Sequence, residues 1–154
     1  MSDLSELYQE IILDHYKSPR NFHDMPFATQ QANGANPLCG DKLTVYVKIT
    51  PEGLIEDVSF KGSGCAISKA SASLMTTQIK GKTIAQAREL FNQVHQMLTG
   101  NRACPPPSDV SLGKLQVLAG VCEFPVRVKC ATLAWHTLSA ALDKQQTIVS
   151  SDKD

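Results

Sequence analysis

Residues Lys42–Met75 read KLTVYVKITPEGLIEDVSFKGSGCAISKASASLM, and three kinds of pattern follow one another there. Leu43, Val45, Val47 and Ile49 alternate with Thr44, Tyr46, Lys48 and Thr50, the period of a half-buried strand. Pro51-Glu52-Gly53 turns the chain, and Leu54, Val58 and Phe60 mark one side of a second strand. The two strands read as an antiparallel hairpin. Gly62-Ser63-Gly64 then leads into Cys65 and a run of Ala and Ser, predicted helical from about Cys65 to Lys80 with Gly81 as its cap. Small side chains let such a helix approach neighbouring backbone closely and hold its first residue tightly. The same composition also suits a solvent-facing helix with a buried cysteine at one end.

Outward from this stretch, Leu4, Leu7, Tyr8, Ile11, Ile12 and Tyr16 recur at helical spacing, so the first helix is placed over Asp3–Lys17. Asp3 and Glu6 form a capping pair, and Ser18-Pro19 ends the helix. A loop follows, with one weak strand near Ala28–Asn33. Thr83 and Gln86 form a capping box for a helix carrying Ile84, Ala87, Leu90, Phe91, Val94 and Leu98. Three consecutive prolines make residues 99–109 a loop, and LGKLQVLAG is a short helical piece. FPVRVK reads as extended, with a last helix opening near Cys130 and burying Ala131, Ala134, Trp135, Leu138 and Leu142. The expected class is α+β: a small three-stranded antiparallel sheet with helices packed on one face. Residues 1–143 form one domain, and 144–154 a polar, frayed tail.

The chain has 154 residues, 42% hydrophobic and 19% charged, with fifteen basic and fifteen acidic side chains. That balance, without a basic stripe interleaved with aromatics, argues against nucleic acid as a partner. No apolar run approaches the roughly 20 residues that span a bilayer, and the polar, acidic start is not a secretory signal. The expected location is the cytoplasm. In that reducing compartment the five cysteines, Cys39, Cys65, Cys104, Cys122 and Cys130, are core filler, metal ligands or reactive thiols in preference to disulfides.

Three of them share a kind of setting. Cys39 lies in the turn NPLCGD, while Cys65 and Cys130 each open a predicted helix. Backbone N–H groups and the positive end of a helix dipole favour thiolate there, and Arg127 and Lys129 beside Cys130 act in the same direction. Asp41 shares the turn of Cys39, one glycine away. Cys39, Asp41, Cys65 and Cys130 together give three thiolates and a carboxylate, a donor set that suits tetrahedral zinc. His136 falls in a core helix, and His15, His23 and His95 have no thiolate neighbour, so none is taken as a ligand.

The stretches NPLCGDKLTVYVKI, IEDVSFKGSGCAISKASASLM and FPVRVKCATLAWHTL, supported by LYQEIILDHYKSPRNF, resemble the IscU/NifU-N family of iron–sulfur cluster assembly proteins, in particular its SufU branch. The likeness extends to about Leu142. It implies a SufE/NifU-like fold of the class above, with functional cysteines at Cys39, Cys65 and Cys130 and the aspartate at Asp41. Cys104 and Cys122 match nothing in the family and are read as structural or incidental. Lys129 stands where the IscU branch has histidine, FPVRVK replaces that branch's LPPVK, and a block at about Gln86–Val110 is added. These departures point to the SufU branch.

The implied function is a zinc-dependent sulfur acceptor that takes persulfide sulfur from a PLP-dependent, SufS-like cysteine desulfurase and passes it toward a downstream cluster scaffold or carrier. A histidine of the docked desulfurase would replace Cys39 at the zinc, releasing its thiolate to attack the persulfide. Arg127 would steady that thiolate or contact the partner, or is a solvated charge. The alternatives are a scaffold for a [2Fe–2S] cluster and a structural zinc module for protein binding.

Overall fold

The computed structural model describes residues 3–37, 40–99, 115, 117–118, 125–143 and 149–150. Cys39, Cys104, Cys122 and the triple-proline loop lie outside them, as does most of LGKLQVLAG, of which Leu115, Val117 and Leu118 are buried. In chain order the elements are α1 (Asp3–Lys17), β1 (Gln30–Asn36), β2 (Asp41–Ile49), β3 (Ile55–Ser63), α2 (Ala66–Ile79), α3 (Ile84–Thr99), α4 (Pro125–Leu142) and β4 (Val149–Ser150). β1, β2 and β3 form the expected three-stranded antiparallel sheet. The two residues of β4 extend it in parallel beside Gly34 and Ala35 of β1, giving the order β3-β2-β1-β4.

The sheet alternates as its sequence requires. Leu43, Val45 and Val47 are buried with Ala32 of β1 and Val58 and Phe60 of β3, and α2 and α4 pack on that side. One expectation is corrected. Leu54 is exposed, and Ile55 takes the core position. The pairing shifts between Lys48 and Ile49, so Lys48 faces Asp57 while Ile49 faces Ile55. One extra residue on β3 reverses the alternation before it.

The small-residue helix α2 is the central buried one. Ser68, Ala70, Ser71 through Thr76 and Ile79 are all buried, which excludes the solvent-facing reading. Two of its hydroxyls act as bridges. Ser71 Oγ donates to the Ala131 carbonyl of α4 at 2.6 Å, while Ser73 Oγ contacts His15 Nδ1 of α1 at 2.7 Å and accepts from Arg20 N at 2.8 Å. Small side chains thus allow close packing on two sides, and each buried hydroxyl so used is satisfied.

The capping box is formed as read. Gln86 N donates to Thr83 Oγ1 at 3.1 Å, and Thr83 N to Gln86 Oε1 at 3.0 Å. α1 fits its stripe less completely: Tyr8, Ile11 and Ile12 pack against the core, but Leu7 and Tyr16 are exposed because α1 lies outside α2 and only part of its apolar face is covered.

The second correction concerns α4. It begins at Pro125, so Val126 to Lys129 are helical and not extended. Proline is favoured at a first helical position, where its missing N–H has no intrahelical partner to lose. Cys130 therefore lies inside the helix, beyond its first turn. The five residues expected inward on α4 are all buried. Among the described residues, no helix is long and apolar enough to cross a membrane.

Candidate metal centre

The strand β2 begins with a buried carboxylate. Asp41, opposite Asn36 at the closed end of the β1–β2 pair, faces the helical layer, and its side chain reaches the start of α2. There its Oδ1 accepts a hydrogen bond from Cys65 N at 2.8 Å. Cys65 is the N-cap of α2, and its Sγ accepts from Ser68 N at 3.4 Å. Cys130 reaches the same point from α4. The ligand atoms of Asp41, Cys65 and Cys130 all lie within 4.8 Å of one another, with Cys65 Sγ 3.9 Å from Asp41 Oδ2.

The glycines before Cys65 make this approach possible. A Cβ on Gly64 would stand 2.7 Å from Asp41 Oδ1, in the space the carboxylate occupies. Gly62 has φ of +140° and lies against the Lys42 carbonyl, so closely that a side chain would overlap backbone. In the sequence GSG, Gly62 therefore serves backbone-to-backbone contact and Gly64 contact with the carboxylate.

Cys65 has its pKa held down to about 6 from an ordinary 9.0, mainly by a hydrogen bond with Cys130. Burial opposes this, the Ser68 N–H favours the thiolate, and the Asp41 charge opposes it. The helix-terminus argument thus holds for Cys65 in part, through its N–H donors. It fails for Cys130, which is buried within α4; its part in the site comes from position. In metal-free protein, alkylation of the Cys65 peptide by iodoacetamide should rise with pH to half its maximum near pH 6, followed by mass spectrometry. A rise centred near pH 9 would contradict the hydrogen-bonded geometry.

Of the residues singled out from sequence, Asp41, Cys65 and Cys130 are brought together. Cys39 lies outside the described residues, next to Gly40, whose N–H closes the turn on the Asn36 carbonyl at 2.9 Å. Arg127 is exposed in the first turn of α4. Sequence reasoning overlooked Asn36. It is fully buried, and its Nδ2 lies 3.5 Å from both Asp41 Oδ2 and Cys130 Sγ. A signal was present: Ala32, Gly34 and Asn36 share the inward face of β1, and an amide at an inward strand end is out of pattern.

The donor set fits zinc. Zn–S and Zn–O bonds of about 2.3 and 2.1 Å place neighbouring tetrahedral donors about 3.6–3.8 Å apart. The 3.9 Å between Cys65 and Asp41 is within a small side-chain movement of that value.

Fold and donors together define a small α+β protein with two thiols and a carboxylate converging between a hairpin and two helices. Residues 7–151 match the family model for the NifU-like N-terminal domain, and the chain belongs to that family. It is 38% identical over 148 residues to the zinc-dependent sulfurtransferase SufU of Bacillus subtilis, covering 94% of this chain and 95% of that one. It is also 38% identical over 144 residues to the iron–sulfur cluster assembly scaffold protein IscU of Streptococcus pyogenes, covering 94% and 87%. A crystal structure described as a SUF-system iron–sulfur cluster assembly scaffold protein, from Fervidobacterium islandicum, superposes with a TM-score of 0.80 at 36% identity. It covers 89% of this chain and 97% of that one. The resemblance carried by the three cysteine contexts is thereby borne out.

Proposed function

We propose that the protein is a zinc-dependent sulfur acceptor of iron–sulfur cluster assembly, supplied by a PLP-dependent cysteine desulfurase. The observation that carries this reading is the convergence of Asp41, Cys65 and Cys130 within 4.8 Å, with Cys39 two residues from Asp41 in the sequence. It is supported by the 38% identity to a zinc-dependent sulfurtransferase over nearly the whole length of both chains. Cys39, Asp41, Cys65 and Cys130 would hold the metal. When bound, zinc would keep the thiols ionised and cover the acceptor cysteine until the partner docks.

Cys65 caps α2 and Cys130 belongs to α4, whereas the sequence NPLCGD around Cys39 carries no helical pattern, and Cys39 is therefore assigned as the acceptor. Its thiolate attacks the outer sulfur of the desulfurase persulfide. The S–S bond breaks, the desulfurase cysteine leaves as a thiolate, and Cys39 carries the new persulfide. The exchange is redox-neutral and needs no added oxidant. Arg127, exposed one turn before Cys130, is assigned to contact with the partner.

The test is alanine release from cysteine by the organism's own desulfurase, titrated with zinc-loaded protein. The rate should rise and saturate, and the rise should disappear with Cys39→Ser. A flat rate with the unaltered protein would exclude the acceptor role. The similarity to IscU scaffold proteins supports a second reading, assembly of a [2Fe–2S] cluster on the same side chains. Anaerobic loading with iron and sulfide would then give a stable cluster with visible absorption, lost in Cys65→Ser.

A further inference from the structure

Asn36 is a buried amide directed at two of the candidate ligands at once. It is fully buried, and its Nδ2 is 3.5 Å from Cys130 Sγ and 3.5 Å from Asp41 Oδ2. An amide nitrogen carries two protons, one for each acceptor. Its Oδ1 has no hydrogen-bond partner among the described residues and is also buried. Leaving that oxygen unpaired costs about 1–3 kcal/mol. The opposite amide orientation would turn the oxygen toward a carboxylate and a sulfur, both electron-rich. The nitrogen therefore faces the site because anions or metal-bound anions occupy it. The Asn36 backbone is fixed as well, since its carbonyl accepts from Gly40 N at 2.9 Å.

We infer that Asn36 is a positioning residue of the metal centre. Its carboxamide donates at once to the Cys130 sulfur and the Asp41 carboxylate, and so orients both for zinc and sets how firmly the metal is retained. This rests on the zinc reading above. Groups that donate to metal ligands from outside the coordination shell change affinity by about 10–100-fold when removed. Asn36 touches two ligands from two different elements, Asp41 of β2 and Cys130 of α4. Asn36→Asp keeps the shape, removes both donors and adds a negative charge to the pair. Asn36→Ala removes the group entirely.

The experiment measures zinc retention against a chromophoric chelator for the unaltered chain and both variants, with far-ultraviolet circular dichroism reporting the fold. Cobalt-substituted protein adds a second readout, the thiolate-to-metal charge-transfer band. The expected result is folded variants with zinc affinity changed by about 10–100-fold, weaker in Asn36→Ala, and a shifted cobalt band. Folded variants with affinity within twofold of the unaltered chain and an unchanged band would overturn the inference. Should both variants fail to fold, the side-chain amide protons of Asn36 in the unaltered, ¹⁵N-labelled chain decide. A shift on zinc loading supports the role, and an unchanged position overturns it. Failure of the unaltered chain to bind zinc or cobalt would instead remove the zinc reading itself.

Discussion

An Asp41→Ala protein is expected to lose zinc affinity by more than about 100-fold, beyond what loss of an outer-shell group costs. Two effects combine. The carboxylate is one of the converging donors, and it also accepts from Cys65 N at 2.8 Å, fixing the residue that supplies a neighbouring thiol. Losing that acceptor leaves a partly buried N–H unpaired, at a cost of about 1–3 kcal/mol. Removing a buried carboxylate offsets part of this in the metal-free protein. Metal retention should therefore fall much more than folding stability. Asp41→Asn separates the effects, because the amide oxygen can still accept from Cys65 while the charge is gone. Chelator competition and thermal melts of metal-free protein provide the two measurements. Zinc retention within tenfold of the unaltered chain in Asp41→Ala would remove Asp41 from the ligand set.

The second large effect is on stability. Gly62→Ala places a methyl group into the Lys42 carbonyl across the β2–β3 pair, at a φ of +140° that side chains rarely adopt. The dihedral costs about 1–3 kcal/mol. The overlap adds about 1–3 kcal/mol, since backbone cannot step aside as a flexible side chain can. At roughly 2–4 °C per kcal/mol for a chain of this size, Tm should fall by about 10 °C. Gly53→Ala is the matched control. Its φ is +89°, and nothing lies within 4 Å of an added Cβ, so only the dihedral cost applies. Equal melting temperatures for the two variants would mean that the close approach of β3 to Lys42 is not maintained in solution. Because Gly62 lies two residues from Gly64, which backs onto Asp41, such a shift would also open the metal centre.

The comparison of sequence and structure divides along physical lines. The β2 alternation and the capping box of Thr83 and Gln86 were legible because each depends on neighbours a few residues away. The last helix was misplaced because Val126-Arg127-Val128 imitates strand alternation, while Pro125 serves equally well as the first residue of a helix. Leu54 and Ile55 exchanged places because the register shift at Lys48/Ile49 belongs to the pairing of two strands and to neither strand alone. Asn36 was passed over because its inward amide acquires meaning only opposite Asp41 and beside Cys130, ninety-four residues away.

By itself, the sequence determined the class of fold, the order of the main elements and the donor types, because hydrophobic period, capping residues and cysteine contexts are local properties. Only the tertiary structure decided which donors meet, which glycines must remain bare and which amide faces the ligands. Those are matters of a few ångströms between segments far apart in the chain, and close packing of α2 between α1, α4 and the sheet sets them.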